Sequence, residues 1–304
     1  MDELEDIFIS IASYRDRDLA NTVNSCFENA KNKNNLFFSV FSQAEDNEHP
    51  NLDFIPKNQI RFVKSHWSES MGVCWARAIV NRSIHTKYFL QIDSHSRFDE
   101  NWDEKIINGY KKSAEFWGER IIVTNYPNGF EIDWDSEPPK DKFIKFGGLK
   151  KLKPFYSESA KMIAASSHWD DVIDKDHGDE CFFFSANSAF CKSSIIKEIP
   201  YDPELYFIGE EPSMALRAYT RGIRLISPNV EYMYTNYNRE NGRRDLHWEN
   251  HESWWELNKK SHERLNKIMK GDTSLGVYGI GSEALFEQYQ KITGLTLKEY
   301  NYLI

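Results

Sequence analysis

The sequence predicts an α/β fold built on a mostly parallel, twisted sheet with helices on its faces. Short, nearly continuous apolar runs at residues 7–13 and 88–92 are typical of strands that are covered on both faces. Stretches with helical periodicity lie between such runs, and this alternation favours a doubly wound sheet. At 304 residues the chain is long enough to bury a sizeable core.

The first half of the chain alternates strands and helices in a regular order. Asp18 is a suitable N-cap for a helix whose apolar positions, including Leu19 and Val23, recur with helical spacing. Gly72 begins a second helix, which ends near Arg82. The predicted strands of this half are 7–13, 36–41, 59–63, 88–92 and 120–124, and the helix after the fourth of them is 102–117.

The second half is less regular. Between residues 126 and 176 no period is visible, and such a long irregular segment inside a domain is usually a functional loop or lid. The next predicted strands are 182–190, 223–226 and 230–237, with helices at 192–198 and 210–221, and they complete a domain over residues 1–238. Residues 239–304, rich in charged residues and Trp, predict helices 251–269 and 282–292, which pack on that domain as a C-terminal extension.

The composition argues against several kinds of partner. The formal net charge is −9 and no long basic run occurs, so nucleic acid is not an expected partner. No apolar run approaches the roughly 20 residues of a membrane helix, and the acidic first residues do not suit a signal peptide. The four cysteines form no C-x-x-C pair, which favours reduced thiols in a cytoplasmic protein.

Residues 93–95 end the apolar run at 88–92 and predict a metal site. Because alternate side chains of a strand point to the same face, Asp93 and His95 are expected to share one side. An Asp oxygen with an imidazole nitrogen suits Mn²⁺ or another divalent ion that also holds phosphate oxygens. The alternative is that Asp93 caps a turn and His95 is a solvated loop residue. For an isolated D-x-H pair this alternative is the default, and the metal site gains weight because open α/β sheets bind ligands at the carboxyl ends of their strands.

Two acidic residues, Glu210 and Glu211, begin the helix predicted at 210–221. Acids in a first helical turn complement the helix dipole, and Pro212 is favoured there as well. In the functional interpretation, one of these carboxylates orients or deprotonates an acceptor hydroxyl. Position in the sequence leaves both interpretations open.

Several segments resemble the family-60 glycosyltransferases, and they occur in the same order and at similar spacing along the chain. This family includes the N-acetylglucosaminyltransferase that modifies hydroxyproline on the Skp1 protein. The segments are residues 7–16, 72–77, 91–98, 201–211 and 276–294. The chain is also similar to the polypeptide N-acetylgalactosaminyltransferases. Their D-S-H metal motif corresponds to residues 93–95 and their W-G-G-E to residues 207–210, with Arg217 at the matching distance. The resemblance implies a GT-A fold, a divalent metal and a UDP-sugar donor, with the anomeric configuration retained.

The resemblance also implies roles for individual residues. The implied donor-binding residues are Ala12, Ser13, Tyr14, Arg15 and Gln43 around the uridine, Arg77 at the diphosphate or ribose, and Asp93. The third metal ligand of these families is a His in an H-x-Y-x-R pattern, and this His is absent from residues 235–239. His247 is the nearest substitute and His251 the second, so the expected metal ligands are Asp93, His95 and His247.

Together these features predict a cytoplasmic, metal-dependent retaining glycosyltransferase that moves N-acetylglucosamine from UDP-GlcNAc to a hydroxyl of a glycan or protein. Mn²⁺ (or Mg²⁺) is the expected cofactor. With retention, the departing phosphate oxygen can accept the acceptor's proton; with inversion, Glu210 or Glu211 has to be the base.

Other interpretations stay open at this stage. The chain could transfer GalNAc or another sugar, act as a nucleotidyltransferase or nucleotide-sugar hydrolase, or bind sugars without turnover. It could also be one module of a larger multidomain enzyme that builds a glycan.

Overall fold

The structure confirms an α/β fold with helices packed on a large sheet. The computed structural model describes residues 5–146, 148–166 and 173–300. Its strands are β1 (Ile7–Tyr14), β2 (Leu36–Ala44), β3 (Ile60–His66), β4 (Tyr88–Asp93), β5 (Ser96–Phe98), β6 (Ile121–Thr124), β7 (Asn128–Asp133), β8 (Lys140–Ile144), β9 (Lys153–Ser157), β10 (Met162–Ser166), β11 (Asp179–Cys181), β12 (Ser188–Lys192), β13 (Arg224–Ser227) and β14 (Met233–Thr235). Its helices are α1 (Leu19–Glu28), α2 (Val73–Val80), α3 (Trp102–Trp117), α4 (Ser193–Glu198), α5 (Glu210–Tyr219), α6 (Arg239–Gly242), α7 (His247–Asn250), α8 (Trp254–Met269) and α9 (Glu283–Thr293).

The large sheet has a parallel part and a mixed part. In the described part of the chain its strands run in the order β11-β13-β6-β12-β4-β1-β2-β3. Strands β4, β1, β2 and β3 are parallel to one another. Strand β12 runs antiparallel between β4 and β6, and β11 runs antiparallel to β13. The sheet is therefore mostly parallel, as the sequence predicts.

Apolar side chains cover both faces of β1, which explains its continuous apolar sequence. Ile9 belongs to a core cluster with Val23 of α1 and Trp102 of α3. Phe8, the neighbouring residue on the strand, belongs to a second cluster that includes Leu216 of α5. The two clusters are the layers that hold the helices on the sheet.

The parallel register brings the ends of β1, β2 and β4 to one edge of the sheet. Ala12 of β1 is level with Asp93 of β4, and Tyr14 of β1 is level with Gln43 of β2. Residues that are distant in sequence and follow these strands therefore lie close together, at the edge where open α/β sheets bind ligands.

The prediction of a long irregular loop between residues 126 and 176 is wrong where β7, β8, β9 and β10 form. It contains two antiparallel hairpins, β7 with β8 and β9 with β10. Strand β7 also pairs in parallel with β14, and within the described ranges β5, β14, β7 and β8 form a second sheet. Strand β8 is exposed and rich in lysine, so its conformation depends on pairing with β7 and not on its own propensity. Residues 147 and 167–172 of the segment lie outside the described residues.

The C-terminal helices pack on the same core as the large sheet. Leu265 of α8 and Phe286 of α9 belong to the cluster that contains Leu216 of α5. Helix α8 begins at Trp254, later than the predicted start at His251, and the short helices α6 and α7 precede it. None of the helices in the described ranges combines the length and the apolar character that a membrane span requires.

Candidate active site

A cavity of about 510 Å³ opens where β1, β2 and β4 end. Most residues expected to bind a donor or a metal line it, and these are Ala12, Ser13, Tyr14, Gln43, Arg77, Asp93, His95, Glu210, Glu211 and His247. Arg15 does not line the cavity, and its backbone has a left-handed conformation. Its Nε lies 3.3 Å from a carboxylate oxygen of Asp245 and 3.7 Å from one of Glu48.

Gln43 lines the cavity and carries a buried acceptor without a partner in the described structure. Its Nε2 donates to the Ser13 carbonyl at 3.2 Å, whereas its buried Oε1 has no hydrogen-bond partner among the described residues. An unsatisfied buried acceptor costs roughly 1–3 kcal/mol, so a ligand N–H that reaches Oε1 would recover this free energy. Gln43 is therefore suited to bind a polar ligand edge.

Asp93 and His95 face each other across the floor of the cavity. Asp93 is the last residue of β4, and His95 lies in the turn between β4 and β5. The Asp93 Oδ2 atom lies 3.6 Å from His95 Nε2. The structure thus brings these two predicted ligands together, although the strand geometry does not extend through Ser94.

Asp16 determines which nitrogen of His95 faces Asp93. The buried Asp16 Oδ2 accepts hydrogen bonds from His95 Nδ1 at 2.8 Å and from Ser94 Oγ at 2.7 Å. Burial acts to raise the pKa of Asp16, but the bonds from His95 and Ser94 outweigh it and hold this pKa below its usual value. Because Nδ1 carries the donated proton, the lone pair of a neutral His95 is on Nε2, which faces Asp93.

The donor set at this point fits a divalent cation. Asp93 Oδ2 and the Nε2 lone pair are both acceptors, and a cation between them would bind both. A carboxylate behind a ligating His is the usual arrangement in metal sites, and Asp16 occupies that position. Magnesium-like ions are often held by only one or two protein groups together with water and substrate phosphates. Asp93 and His95 are therefore suited to hold such an ion.

Arg77 lies at the floor of the cavity and contacts two of its acidic residues. Its side chain is 4% exposed, with Nη2 donating to Asp93 Oδ1 at 2.9 Å and Nε lying 3.1 Å from Glu210 Oε1. Nη1 donates to the Ala186 carbonyl at 2.6 Å. These contacts hold the Asp93 carboxylate so that its other oxygen, Oδ2, faces His95.

The two glutamates at the start of α5 have different surroundings. Glu210 is buried beside Arg77, and burial raises its pKa in spite of the arginine. Glu211 accepts hydrogen bonds from the Ala186 amide at 2.9 Å and from the Tyr126 hydroxyl at 3.1 Å. Burial is the main cause that raises the pKa of Glu211 to about 7. Glu211 can therefore change its protonation state near neutral pH.

The structure does not bring His247 together with Asp93 and His95. Its Nε2 donates to the Ser70 carbonyl at 3.1 Å, and its Nδ1 accepts from the Tyr206 hydroxyl at 2.6 Å. Burial lowers the pKa of His247 to about 4, so the ring is neutral. Among the described residues, no three His, Cys, Asp or Glu side chains form a group that could hold a metal ion.

His251, the second candidate for a third ligand, lies beside His247. Their rings stack with centroids 4.8 Å apart, and His251 Nε2 lies 3.1 Å from the Ser68 carbonyl oxygen. A role for either histidine as a metal ligand would require its ring to leave these partners.

The site also includes residues for which the sequence predicts no role, among them Asp16, Tyr126 and Arg244. Arg244 lines the cavity near the Asp16 and Asp93 carboxylates, and its buried Nη1 has no hydrogen-bond partner in the described part of the chain. The only sequence signal is for Asp16, the first carboxylate after strand β1. Tyr126 and Arg244 lie in segments without recognisable periodicity, and only the fold brings them to the cavity.

The sequence matches the protein-family model described as glycosyltransferase (GlcNAc) over residues 6–56 and 52–298. No curated protein matches the sequence at a significant level. The match to the family model covers almost the whole chain and includes every residue of the cavity discussed above.

Solved structures with a similar fold include two glycosyltransferases. A crystal structure of GalNAc-T7 with UDP, GalNAc and Mn²⁺ superposes with a TM-score of 0.63 at 13% identity, covering 97% of this chain and 55% of that chain. A structure of S. aureus TarS residues 1–349 with UDP-GlcNAc gives a TM-score of 0.53 at 11% identity, covering 95% of this chain and 71% of that chain. The chain spans about half the length of the GalNAc-T7 chain. Both are GT-A glycosyltransferases, so the fold predicted from the sequence is confirmed.

Proposed function

Because the chain belongs to the GlcNAc glycosyltransferase family, we propose that it transfers N-acetylglucosamine from UDP-GlcNAc to a hydroxyl group with the help of a divalent metal. The observation that carries this proposal is the pairing of Asp93 with His95, supported from behind by Asp16, at the floor of the cavity. The GalNAc-T7 and TarS structures were determined with UDP or a UDP-sugar and, for GalNAc-T7, Mn²⁺, which supports the choice of donor and metal.

The donor lies with its uridine against the ends of β1 and β2. Ala12, Ser13 and Tyr14 form one wall there, and the free Gln43 Oε1 accepts a hydrogen bond from the base. Arg244 faces the diphosphate, where its unpaired Nη1 gains an anionic partner. Arg15 stays outside the lining and holds the neighbouring loop through Asp245.

Asp93 Oδ2 and His95 Nε2 would hold Mn²⁺ or Mg²⁺. When bound, the ion neutralises the negative charge that develops on the leaving diphosphate. Arg77 keeps Asp93 in position from below, so its own contact with the donor is indirect. Asp16 holds the His95 tautomer that leaves Nε2 free.

The reaction proceeds with retention, as in the family-60 enzymes and the polypeptide N-acetylgalactosaminyltransferases that the sequence resembles. The acceptor hydroxyl is oriented by a glutamate at the start of α5, and its proton passes to the departing phosphate oxygen. The acceptor is a hydroxyl of a glycan or a protein. The chain acts as one module of a larger enzyme that builds a glycan. A cytoplasmic location fits the absence of C-x-x-C pairs.

UDP release from UDP-GlcNAc and UDP-GalNAc, each with Mn²⁺ and with a chelator, tests the proposal. We expect metal-dependent release from UDP-GlcNAc that exceeds release from UDP-GalNAc. Preference for UDP-GalNAc would refute the donor assignment, and full activity in chelator would refute the metal. Anomeric coupling in the product, measured by NMR, distinguishes retention from inversion. Asp93→Asn should lower the metal-dependent release of UDP. Asp99→Asn, which changes a partly exposed carboxylate outside the cavity, is the matched control and should not.

A further inference from the structure

Glu210 and Glu211 are neighbours in sequence but contact different parts of the protein. Glu210 Oε1 lies 3.1 Å from the buried Arg77 guanidinium at the floor of the cavity, and Tyr201 lies on the same side. Glu211 is held by a tyrosine hydroxyl and a backbone amide, from Tyr126 and Ala186. In the described part of the chain, no cationic side chain is paired with Glu211.

We infer that Tyr126 positions Glu211 as the group that binds the acceptor hydroxyl, and that Glu210 serves instead as the counter-ion of Arg77. This inference rests on the proposed glycosyl transfer and assigns separate roles to two residues that the sequence could not distinguish. Glu211 would contact substrate, whereas Tyr126 would act only through Glu211.

The hydrogen bonds of Glu211 leave room for an acceptor. One oxygen accepts from the Ala186 amide and the other from the Tyr126 hydroxyl, and a carboxylate has about four acceptor positions. The two bonds come from different segments, so they fix the plane of the carboxylate. Both Glu211 and Tyr126 line the cavity, which leaves the remaining lone pairs available to a hydroxyl there.

Glu211 stays ionised throughout the transfer step. The acceptor oxygen forms a bond to the anomeric carbon while the bond from that carbon to the β-phosphate oxygen breaks. The proton of the acceptor hydroxyl passes to the departing phosphate oxygen. The hydroxyl has a single hydrogen, which it donates to Glu211 while the acceptor binds and turns to the departing phosphate oxygen as the bond to the anomeric carbon breaks, so Glu211 aims the acceptor oxygen before transfer. Only the ionised carboxylate offers all of its acceptor positions for this purpose.

The surroundings of Glu211 make this role sensitive to pH. Burial and the Glu210 and Asp93 carboxylates favour its neutral form, whereas the bonds from the Ala186 amide and Tyr126 favour its ionised form. The Tyr237 side chain also lies near Glu211. Burial and Glu211 raise the pKa of Tyr126, which therefore stays a donor at neutral pH. Removing the Tyr126 hydroxyl should then make Glu211 harder to ionise.

The test compares Tyr126→Phe with the matched variant Tyr201→Phe. Tyr201 is buried, whereas Tyr126 is partly buried, and the Tyr201 hydroxyl accepts from Gln91 Nε2 at 2.7 Å on the Glu210 side. The assay is UDP release from UDP-GlcNAc with Mn²⁺ and water as acceptor, from about pH 5 to about pH 9. We expect Tyr126→Phe to lower kcat about tenfold and to move the acidic limb upward by about one pH unit, with the affinity for UDP unchanged. Tyr201→Phe should leave the midpoint of this limb in place.

A second pair of variants keeps the test decisive if Tyr126→Phe folds poorly. At saturating Mn²⁺, where protons no longer displace the metal from its ligands, Glu211→Gln should abolish the acidic limb, because no group at that position then titrates. Glu210→Gln should keep the limb while raising the Mn²⁺ concentration that is required. An unshifted limb in a folded Tyr126→Phe protein, or an equal shift in Tyr201→Phe, would overturn the inference. Absence of UDP release by the unmodified protein would instead refute the proposed function, and the inference would fall with it.

Discussion

Replacing Asp16 tests whether a carboxylate behind His95 is needed to build the metal site. Asp16 Oδ2 accepts from both His95 Nδ1 and Ser94 Oγ, and the side chain is 3% exposed. In Asp16→Asn the amide oxygen can still accept both bonds, but it carries no charge. Because charge-assisted hydrogen bonds are about twice as strong as neutral ones, about half of the interaction should remain. Asp16→Ala removes it entirely.

The expected magnitude follows from the behaviour of such supporting groups. Losing the partner of a ligating His typically weakens metal binding by about 10-fold to about 100-fold. We therefore expect Asp16→Asn to weaken Mn²⁺ binding about tenfold, or about 1.4 kcal/mol, and Asp16→Ala about 100-fold, or about 2.7 kcal/mol. Mn²⁺ titration in the presence of UDP, followed by calorimetry or by the spin-resonance signal of free Mn²⁺, measures both values.

Ser94→Ala is the matched control for this prediction. It removes one hydrogen bond to the same Asp16 oxygen without altering His95, so its effect on Mn²⁺ affinity should be smaller than that of Asp16→Asn. Circular dichroism of each variant checks that the fold is intact. Equal Mn²⁺ affinity in the unmodified protein and in a folded Asp16→Ala variant would refute the assignment of His95 Nε2 as a metal ligand supported by Asp16.

Asp93→Ala should abolish Mn²⁺-stimulated UDP binding while circular dichroism shows an intact fold, and retained metal-stimulated binding would contradict the metal assignment. Arg77→Ala leaves the buried Glu210 carboxylate without its cation and should lower the free energy of unfolding by about 3–5 kcal/mol, measured in urea; a loss below about 1 kcal/mol would argue against this ion pair. Gly209→Ala combines a left-handed conformation with an overlap of the new Cβ with the Leu265 side chain, and should destabilise by about 2–5 kcal/mol. Gly294→Ala, where the backbone is also left-handed but nothing lies within 4 Å of the new Cβ, should cost only about 1 kcal/mol, and equal losses at both glycines would show that packing against Leu265 does not matter.

The strands that carry the site could be predicted because their signal is local. Strands β1 and β4 are buried on both faces, so apolar residues occupy nearly every position, and the first polar residues mark their ends. Asp93 and His95 follow from this signal. Asp16 does not, because its contact with His95 depends on the register of β1 against β4 and joins residues that are distant in sequence.

The hairpins between residues 126 and 176 could not be predicted for a related reason. Strand β7 is paired with β14, at Asn128 with Tyr234, across more than a third of the chain. Strand β8 carries Lys140, Asp141 and Lys142, which have low strand propensity, and Asp141 is held by Arg97 of β5 at 2.7 Å. Its extended conformation thus comes from tertiary contacts that its own residues do not encode.

Asp93 shows how the fold and the chemistry of the site depend on one another. One carboxylate oxygen is bound to Arg77, which is itself held by Glu210 and by the Ala186 carbonyl, and the other oxygen faces His95. Asp93 Oδ1 is therefore held in place before any ligand binds, so binding a cation would require little further ordering of the carboxylate. A metal site at the end of a buried strand, supported by a buried arginine, is for this reason better organised for charge stabilisation than the same two ligands on a mobile loop would be.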